Sequence, residues 1–488
     1  MGIVINQSIR NTVITYIGFG IGAANALFMY TNFLGKTYYG LTAFLLSSAN
    51  IMMPLMAFGV HNTLIKFYSG YKTDKERSEF LTFMLLLPLV LIIPIGLMGF
   101  VFYERIAMVL SRENPIVYDY IWLVPIIGLF MGYFEIFYAW VKVHMQSVVG
   151  NFIKEVFLRV LISIFLFAVY FGLITAIQFI YATVGIYFLT TVVMFYFAMK
   201  VKLPSVGFRL PADKTVVFVY SLFIILAGSV ANLLLDIDKV MINQYIKIEN
   251  IAYYSVAIFI ATVVAVPSRA MHQITYPITA KLMVEKKHDE LNVLYKKTSI
   301  TLQVVGGYVL LGILVNIHSI YEMLPKEYAG GIFVVFAIGI SKYLDLLLGN
   351  NNAIIFNSVY YRMVLMLGLL LAILAITLNM YFIPRYMIDG AAVATLIAVT
   401  LYSLAKLLFV VLKMQLYPFT IQTVYSLAIT LATFAFFYFW NFPFGVFLNI
   451  ILKSVLLTGV YGFLNYKFKI SEDINLVMDG IFQRIWKH

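Results

Sequence analysis

Charged side chains make up only 11% of this 488-residue chain, and those that interrupt apolar runs are the ones whose chemistry needs a reason. Arg269, in VPSRAMHQITYP, falls between Pro267 and Pro277 near the middle of a long apolar segment. A charge inside a membrane span costs several kcal/mol unless it is paired or faces water. A guanidinium in that position could line a hydrated cavity and fork onto phosphate oxygens. It could equally be neutralised by an acid such as Asp236 or Asp345. His272 follows three residues later on the same helical face, as a cavity group or as a satisfied interior histidine.

Other polar side chains recur at helical spacing. Asp236, Lys239 and Asn243 in LLLDIDKVMINQY read as a polar cavity wall or as a solvated helix end with a local ion pair. Lys342 and Asp345 are three apart and could neutralise each other. After them come Gly349 and the run Asn350, Asn351, Asn352, which would suit a water-filled vestibule or a sugar site because each amide both donates and accepts. Glu135 in MGYFEIFYAW is a possible coupling carboxylate or one half of a buried pair. Asn25, Asn50, His61 and Asn62 are weaker cavity candidates, and Lys406 and Lys453 read as structural, snorkelling or paired. Nucleotide and hydrolase motifs (GxxxxGK[ST], HExxH, GxSxG) do not occur, and six scattered histidines give no metal site. No cofactor and no metal are expected.

The elements that position these groups are set by composition. Apolar residues are 62% of the chain, against about 45–50% apolar and 25% charged in soluble domains. A soluble enzyme, a coiled coil and a disordered chain are excluded. With no cysteine, a disulfide framework and a thiolate metal site are excluded too. Continuous rather than alternating apolar runs favour helices over a barrel.

Runs of about 20 residues are long enough to span a bilayer, and the chain divides into fourteen. They are Asn11–Leu34, Tyr39–Leu64, Phe80–Tyr103, Tyr118–Trp140, Val156–Phe171, Ala176–Met199, Val216–Tyr245, Ile251–Pro277, Thr298–Ile320, Gly331–Phe356, Met363–Phe382, Gly390–Leu412, Ile421–Trp440 and Val446–Tyr466. Arg10 precedes the first run, which reads as an uncleaved span rather than a signal peptide. Loops on the side of the termini, counted with the adjoining span ends that hold Arg159, carry 23 Lys and Arg residues, and the opposite loops, counted with the span end that holds Lys239, seven, so both termini are expected in the cytoplasm. This asymmetry accounts for the net charge of +12 without a nucleic-acid partner. No loop exceeds about 20 residues, which leaves no place for a soluble catalytic domain, and an enzyme is not expected.

A shift of 215 residues lays Tyr38-Tyr39 on Tyr253-Tyr254, Phe44 on Phe259, Met56 on Met271, Lys66 on Lys281 and Lys72 on Lys287. The expectation is a parallel repeat of six and six spans, a common transporter design: an N-lobe at 1–203, a cytoplasmic linker at 204–214 and a C-lobe at 215–414. Two further spans occupy 415–468. In the tail, 469–488, Ser471 is a candidate N-cap, and Ile474, Val477, Met478, Ile481 and Ile485 mark an amphipathic helix expected to lie on the inner membrane surface.

Several phrases, LLLDIDKVMINQYIKIENIAYYSVA, the Arg and Pro followed by YPITAKL, KKHDELNVLYKKTS and IDGAAVATLIAV, resemble the polysaccharide transporter family. These are the O-antigen type flippases of the multidrug/oligosaccharidyl-lipid/polysaccharide exporter superfamily. The resemblance implies translocation of an isoprenoid-diphosphate-linked oligosaccharide from the inner to the outer leaflet of the bacterial inner membrane, by alternating access. It implies membrane lipids and polysaccharide assembly proteins as partners. Arg269 matches a diphosphate-holding cavity cation; Lys342 and Arg10 match less closely. Asn25 stands where many drug-exporting relatives carry an acid, which weighs against the alternative, a cation-coupled drug or metabolite efflux antiporter.

Overall fold

In a computed structural model covering residues 2–205, 214–360 and 362–485, the chain is helical, with no strand among the described residues. Hydrocarbon offers no partner for a backbone N–H or C=O, so apolar runs of this length satisfy their own groups as helices. The chain forms two compact units, Met1–Ser255 and Val256–His488.

The first unit begins with α1 (Gly2–Ala23), which continues through a π-helical stretch, Ala24–Leu34, to α2 (Lys36–Met56). Then come α3 (Val60–Phe67), α4 (Asp74–Leu86), α5 (Leu89–Val101), α6 (Tyr103–Ser111) and α7 (Leu123–Val143). After α8 (Ser147–Phe152) a π-helical turn, Ile153–Phe157, leads into α9 (Leu158–Tyr170), followed by α10 (Ala176–Val201) and α11 (Lys214–Tyr245). Helix α7 is central and packs on α2, α3 and α10. Its Gly128 and Gly132 lie against the α2 backbone near Ala49 and Ala57, the close approach that small residues permit. Ile136, Phe137, Trp140 and Val141 of α7 pack with Phe80, Leu81 and Met84 of α4 and Met194 and Ala198 of α10. Helix α11, which the repeat places at the head of the second lobe, packs on α2 and α3 within this unit.

Helix α12 (Glu249–Thr262) runs across the boundary between the units. The second unit continues with α13 (Val266–Val284), α14 (His288–Val315), α15 (Ile317–Glu322), α16 (Ile332–Leu346) and α17 (Asn351–Asn357). Last come α18 (Arg362–Met414), α19 (Ile421–Tyr438), α20 (Val446–Lys467) and α21 (Glu472–Ile485). Helix α14 is the axis here, packing on α13, α16, α19 and α20. Ile300, Val304, Leu311 and Val315 meet Ile429, Phe437, Leu457 and Tyr461 in one core, so the terminal pair α19–α20 is fastened to α14.

Eleven helices among the described residues are long and apolar enough to cross a membrane, fewer than the fourteen runs of the sequence. Met363–Phe382 and Gly390–Leu412 fall within the single stretch α18, which is broken at Met387 (φ 53°, ψ −131°). The turn is tight enough that a Cβ at Gly390 would collide with the Phe382 carbonyl. Helix α9 has only 13 residues, because the π-helical turn takes the start of its run. Outward faces are apolar: α5 has no buried residue and Phe100 is 84% exposed, as lipid-facing surface requires. The chain is a multi-pass membrane protein.

The linker at 204–214 and the last three residues of the tail lie largely or wholly outside the described residues, as do the side chains of Ile481 and Ile485. The tail helix α21 is held by Lys297 to Glu472 at 2.9 Å, Tyr466 to Asp479 at 2.5 Å and a Thr301–Ser471 hydroxyl contact at 3.1 Å. Leu476 and Val477 remain exposed.

Candidate functional site

The interior polar groups gather into separate clusters, each assembled by helices that share a unit. In the second unit, Ser268 and His272 of α13 are one turn apart and face Asp345 of α16, Asn351 and Asn352 of α17 and Lys406 of α18 around a small polar pocket. The pocket has room for about one water molecule. Lys406 donates to Asp345 Oδ1 at 3.1 Å and to Asn352 Oδ1 at 3.2 Å, and its ammonium stands 4.4 Å from the Tyr402 ring centre. Ser403 donates to the same Asp345 oxygen at 3.3 Å. The lysine is 2% exposed and its acid 45% exposed, so the carboxylate is the part of the pair that solvent reaches.

The asparagine run does two jobs. Asn352 faces the pocket, whereas Asn350 and Asn351 are buried and tie helices together. Asn350 Nδ2 donates to Thr279 at 2.7 Å while Thr298 donates to Asn350 Oδ1 at 3.2 Å. Asn351 donates to the Tyr295 hydroxyl at 2.7 Å. The vestibule expected of all three is reduced to Asn352 and the edge of Asn351, because α17 turns the other side chains inward.

Asp236 organises a second cluster, in the first unit. It is buried and accepts from Ser47 at 2.7 Å, Asn50 at 2.5 Å and Lys239 at 3.1 Å. Polar side chains of α2 are thereby clasped to α11. Asp238, on another face, accepts from Tyr254 at 2.5 Å. Asn243 joins a network in which Asn114 donates to its carbonyl at 2.9 Å and Asn243 donates to Leu110 O at 2.7 Å. The local Asp–Lys pair is therefore present, but it is buried rather than a solvated helix end.

Glu135 pairs with Lys154 at 2.5 Å. Asn25 is buried between α9 and the π-helical stretch after α1, donating to Arg159 O at 2.9 Å and accepting from Ser163 at 2.7 Å. The cations carried over from the family stand apart. Arg269 is exposed and has no hydrogen-bond or ion-pair partner among the described residues of its unit, and Arg10 is exposed. Lys342 is half-buried, and the expected pairing with Asp345 is not made, since Lys406 takes that acid. Arg269 does not join His272 at the pocket: the wall takes the i, i+4 pair Ser268 and His272, and Arg269 lies on the adjoining stripe of α13. Lys406, expected to snorkel or pair, is paired with Asp345; Ser268 and Ser403 are not singled out by the sequence. Lys406 carried a signal, a lysine inside an apolar run, but nothing in its neighbourhood named its acid.

The family model for polysaccharide biosynthesis proteins matches residues 6–283, more than half of the chain. No curated protein sequence matches closely enough to add to this. Among solved structures, the lipid II flippase MurJ in an inward closed conformation superposes with a TM-score of 0.74 at 14% identity, over 95% of this chain and 100% of that one. An inward-facing multidrug resistance MATE family transporter gives 0.63 at 11% identity, over 84% and 98%. A MOP superfamily transporter from Pyrococcus furiosus gives 0.59 at 13%, over 84% and 95%. Identities this low establish shared architecture and nothing about what is carried. The chain belongs to the polysaccharide biosynthesis protein family and has the fold of the MOP superfamily transporters.

Proposed function

We propose that this protein is a flippase that moves an isoprenoid-diphosphate-linked oligosaccharide from the inner to the outer leaflet of a bacterial inner membrane. The observation that carries the reading is family membership over residues 6–283 in a chain with a transporter fold. Surface polysaccharide assembly needs sugars built on a lipid inside the cell to reach the outer face. A headgroup with two phosphates and several sugars cannot cross roughly 30 Å of hydrocarbon unaided. Alternating access of the lobes at 1–203 and 215–414 would supply a hydrated route that is closed on one side at a time.

The match to MurJ takes in 95% of this chain and the one to the MATE transporter 84%. The surplus is the size of a helix pair such as α19–α20, which favours a lipid-linked cargo over a small drug. Arg269, exposed and unpaired among the described residues of its unit, would hold a phosphate, with Lys342 and Arg10 as further cations. Both termini lie in the cytoplasm, where the excess of Lys and Arg belongs. Polysaccharide assembly proteins are the fitting partners.

The test replaces Arg269 by Ala and measures surface polysaccharide at matched protein levels. A clear fall in output supports the reading, and unchanged output removes Arg269 as the diphosphate cation. Substrate-dependent proton or sodium flux driven by small organic cations in proteoliposomes would instead identify a drug antiporter.

A further inference from the structure

Each unit contains a histidine whose Nδ1 is buried without a hydrogen-bond partner among the described residues: His61 on α3 and His272 on α13. Buried polar atoms are nearly always satisfied, so an orphan of this kind calls for a reason. The charges of an acid–lysine pair act on each ring. Helix α3, which carries His61, packs on α7, and the charges of Glu135 and Lys142 of α7 and of Lys154 in the π-helical turn act on the imidazole, with Glu135 and Lys154 2.5 Å apart. Its other ring nitrogen meets the Asn62 amide at 3.1 Å. His272 is faced by Asp345 of α16 and Lys406 of α18, themselves 3.1 Å apart. Tyr276 lies 5.6 Å away on the same helix, Tyr402 flanks the lysine, and Lys342 acts on Asp345 from within α16.

The order along the chain agrees as well. Glu135 follows His61 by 74 residues, and Asp345 follows His272 by 73. The spacing from histidine to acid is thus nearly the same in the two units, although the 215-residue shift lays His61 on Tyr276, one turn beyond His272, and the lysine comes from a different helix in each. A structural ion pair has no need of a histidine, and packing alone gives no reason for two orphan imidazole nitrogens.

We propose that each constellation is a proton-operated anion site, in which protonation of His61 or His272 draws the carboxylate away from its lysine and frees the ammonium to hold a phosphate oxygen. The imidazole takes its proton from hydronium of the aqueous phase: the ring N–H forms as a hydronium O–H breaks and leaves water, and no other covalent bond changes. The ring then carries N–H on both nitrogens, and the orphan Nδ1–H becomes a charge-assisted donor for Glu135 or Asp345. Charge in each constellation rises by one positive unit, so an anion binds when the histidine is protonated and is let go when it is neutral. Histidine suits this because its charge changes within the physiological pH range. The inference deepens the diphosphate reading above and rests on it.

The experiment uses the full-length protein in nanodiscs and farnesyl diphosphate as probe, titrated calorimetrically at pH 6 and pH 8 in buffers of different ionisation enthalpy. The probe's own titration is common to every variant and cancels in the comparison. The wild type should bind about tenfold tighter at pH 6 than at pH 8, within the usual range of linked binding, with proton uptake on binding. In the double variant His61→Gln, His272→Gln the pH ratio and the extra uptake should vanish. The double variant Glu135→Gln, Asp345→Asn, with its lysines already released, should bind at both pH values without that ratio. It also carries the test should the histidine variant fail to fold, as judged by its melting profile. A histidine variant keeping the full wild-type ratio and uptake, or acid variants keeping it, would overturn the proposal. Binding without any excess proton uptake in the wild type sinks this proposal alone; no binding at either pH sinks the diphosphate reading with it.

Discussion

Lys406 of α18 reaches Asp345 of α16 across 3.1 Å while itself 2% exposed. An ammonium taken out of water needs a carboxylate or several dipoles around it, and here it has Asp345, Asn352 and the Tyr402 ring. One side chain therefore joins α18 to both α16 and α17.

Replacing Asp345 by Asn should lower stability by roughly 1–3 kcal/mol, the cost of leaving a buried charged group short of its partner. The figure is kept small because the acid is partly exposed and screened. Adding Lys406→Met should recover most of the loss, since an apolar pair of similar volume often replaces an ion pair without cost. Thermal unfolding in detergent of the single and double variants checks this. A double variant no more stable than Asp345→Asn would show that the lysine has another essential partner.

Asp236 should matter more. It accepts from Ser47, Asn50 and Lys239, and Asp236→Ala would strand all three donors. The expected loss is about 3–5 kcal/mol, read as a lower melting temperature and reduced folded yield. Ser47→Ala, which removes one neutral donor, should cost only about 1 kcal/mol.

Arg269 provides the contrast. It is exposed and unpaired among the described residues of its unit, so Arg269→Ala should leave stability within about 0.5 kcal/mol of wild type. A matched melting curve together with lost polysaccharide export separates a role in transport from a role in folding. A large fall in melting temperature would mean that the guanidinium supports the structure.

Gly40 of α2 lies so close to the Ile248 carbonyl that a Cβ there would collide with backbone. Gly40→Ala should therefore force α2 away from that segment and reduce the monodisperse fraction in size-exclusion chromatography. Gly20, with nothing near its Cβ position, should tolerate the same change.

Outside the membrane, Thr73 and Glu76 form a reciprocal cap at the start of α4. Hydrogen bonds from the Thr73 backbone and side chain hold the Glu76 carboxyl below its ordinary value of 4.5, with Lys72 adding to the effect. A depressed folded value means that the cap contributes its stability above the ordinary glutamate range and loses it as pH falls through the folded value. Amide exchange at residues 73–77 should therefore quicken on acidification below that range. In Glu76→Gln this pH dependence should disappear.

Much of the fold was legible in the sequence because its determinants are local. Length and continuous hydrophobicity decide which segments span lipid, and the loop lysines and arginines argue for a cytoplasmic side. The break at Met387 falls between the two runs read from the sequence, Met363–Phe382 and Gly390–Leu412. The resemblance in phrases such as LLLDIDKVMINQY pointed to the family that the match over residues 6–283 shows.

The pairings were not legible, because which acid meets which lysine depends on how helices distant in sequence rotate and cross. Asp345 had Lys342 one turn away, yet its partner is Lys406, 61 residues on. Glu135 is answered by Lys154 through a π-helical turn that no periodicity announces. Asn350 and Asn351, polar and adjacent to Asn352, were buried by the direction α17 takes. Spacing along one helix determines only which side chains share its face; packing between helices decides what that face meets, and that is where the polar chemistry of this protein was settled.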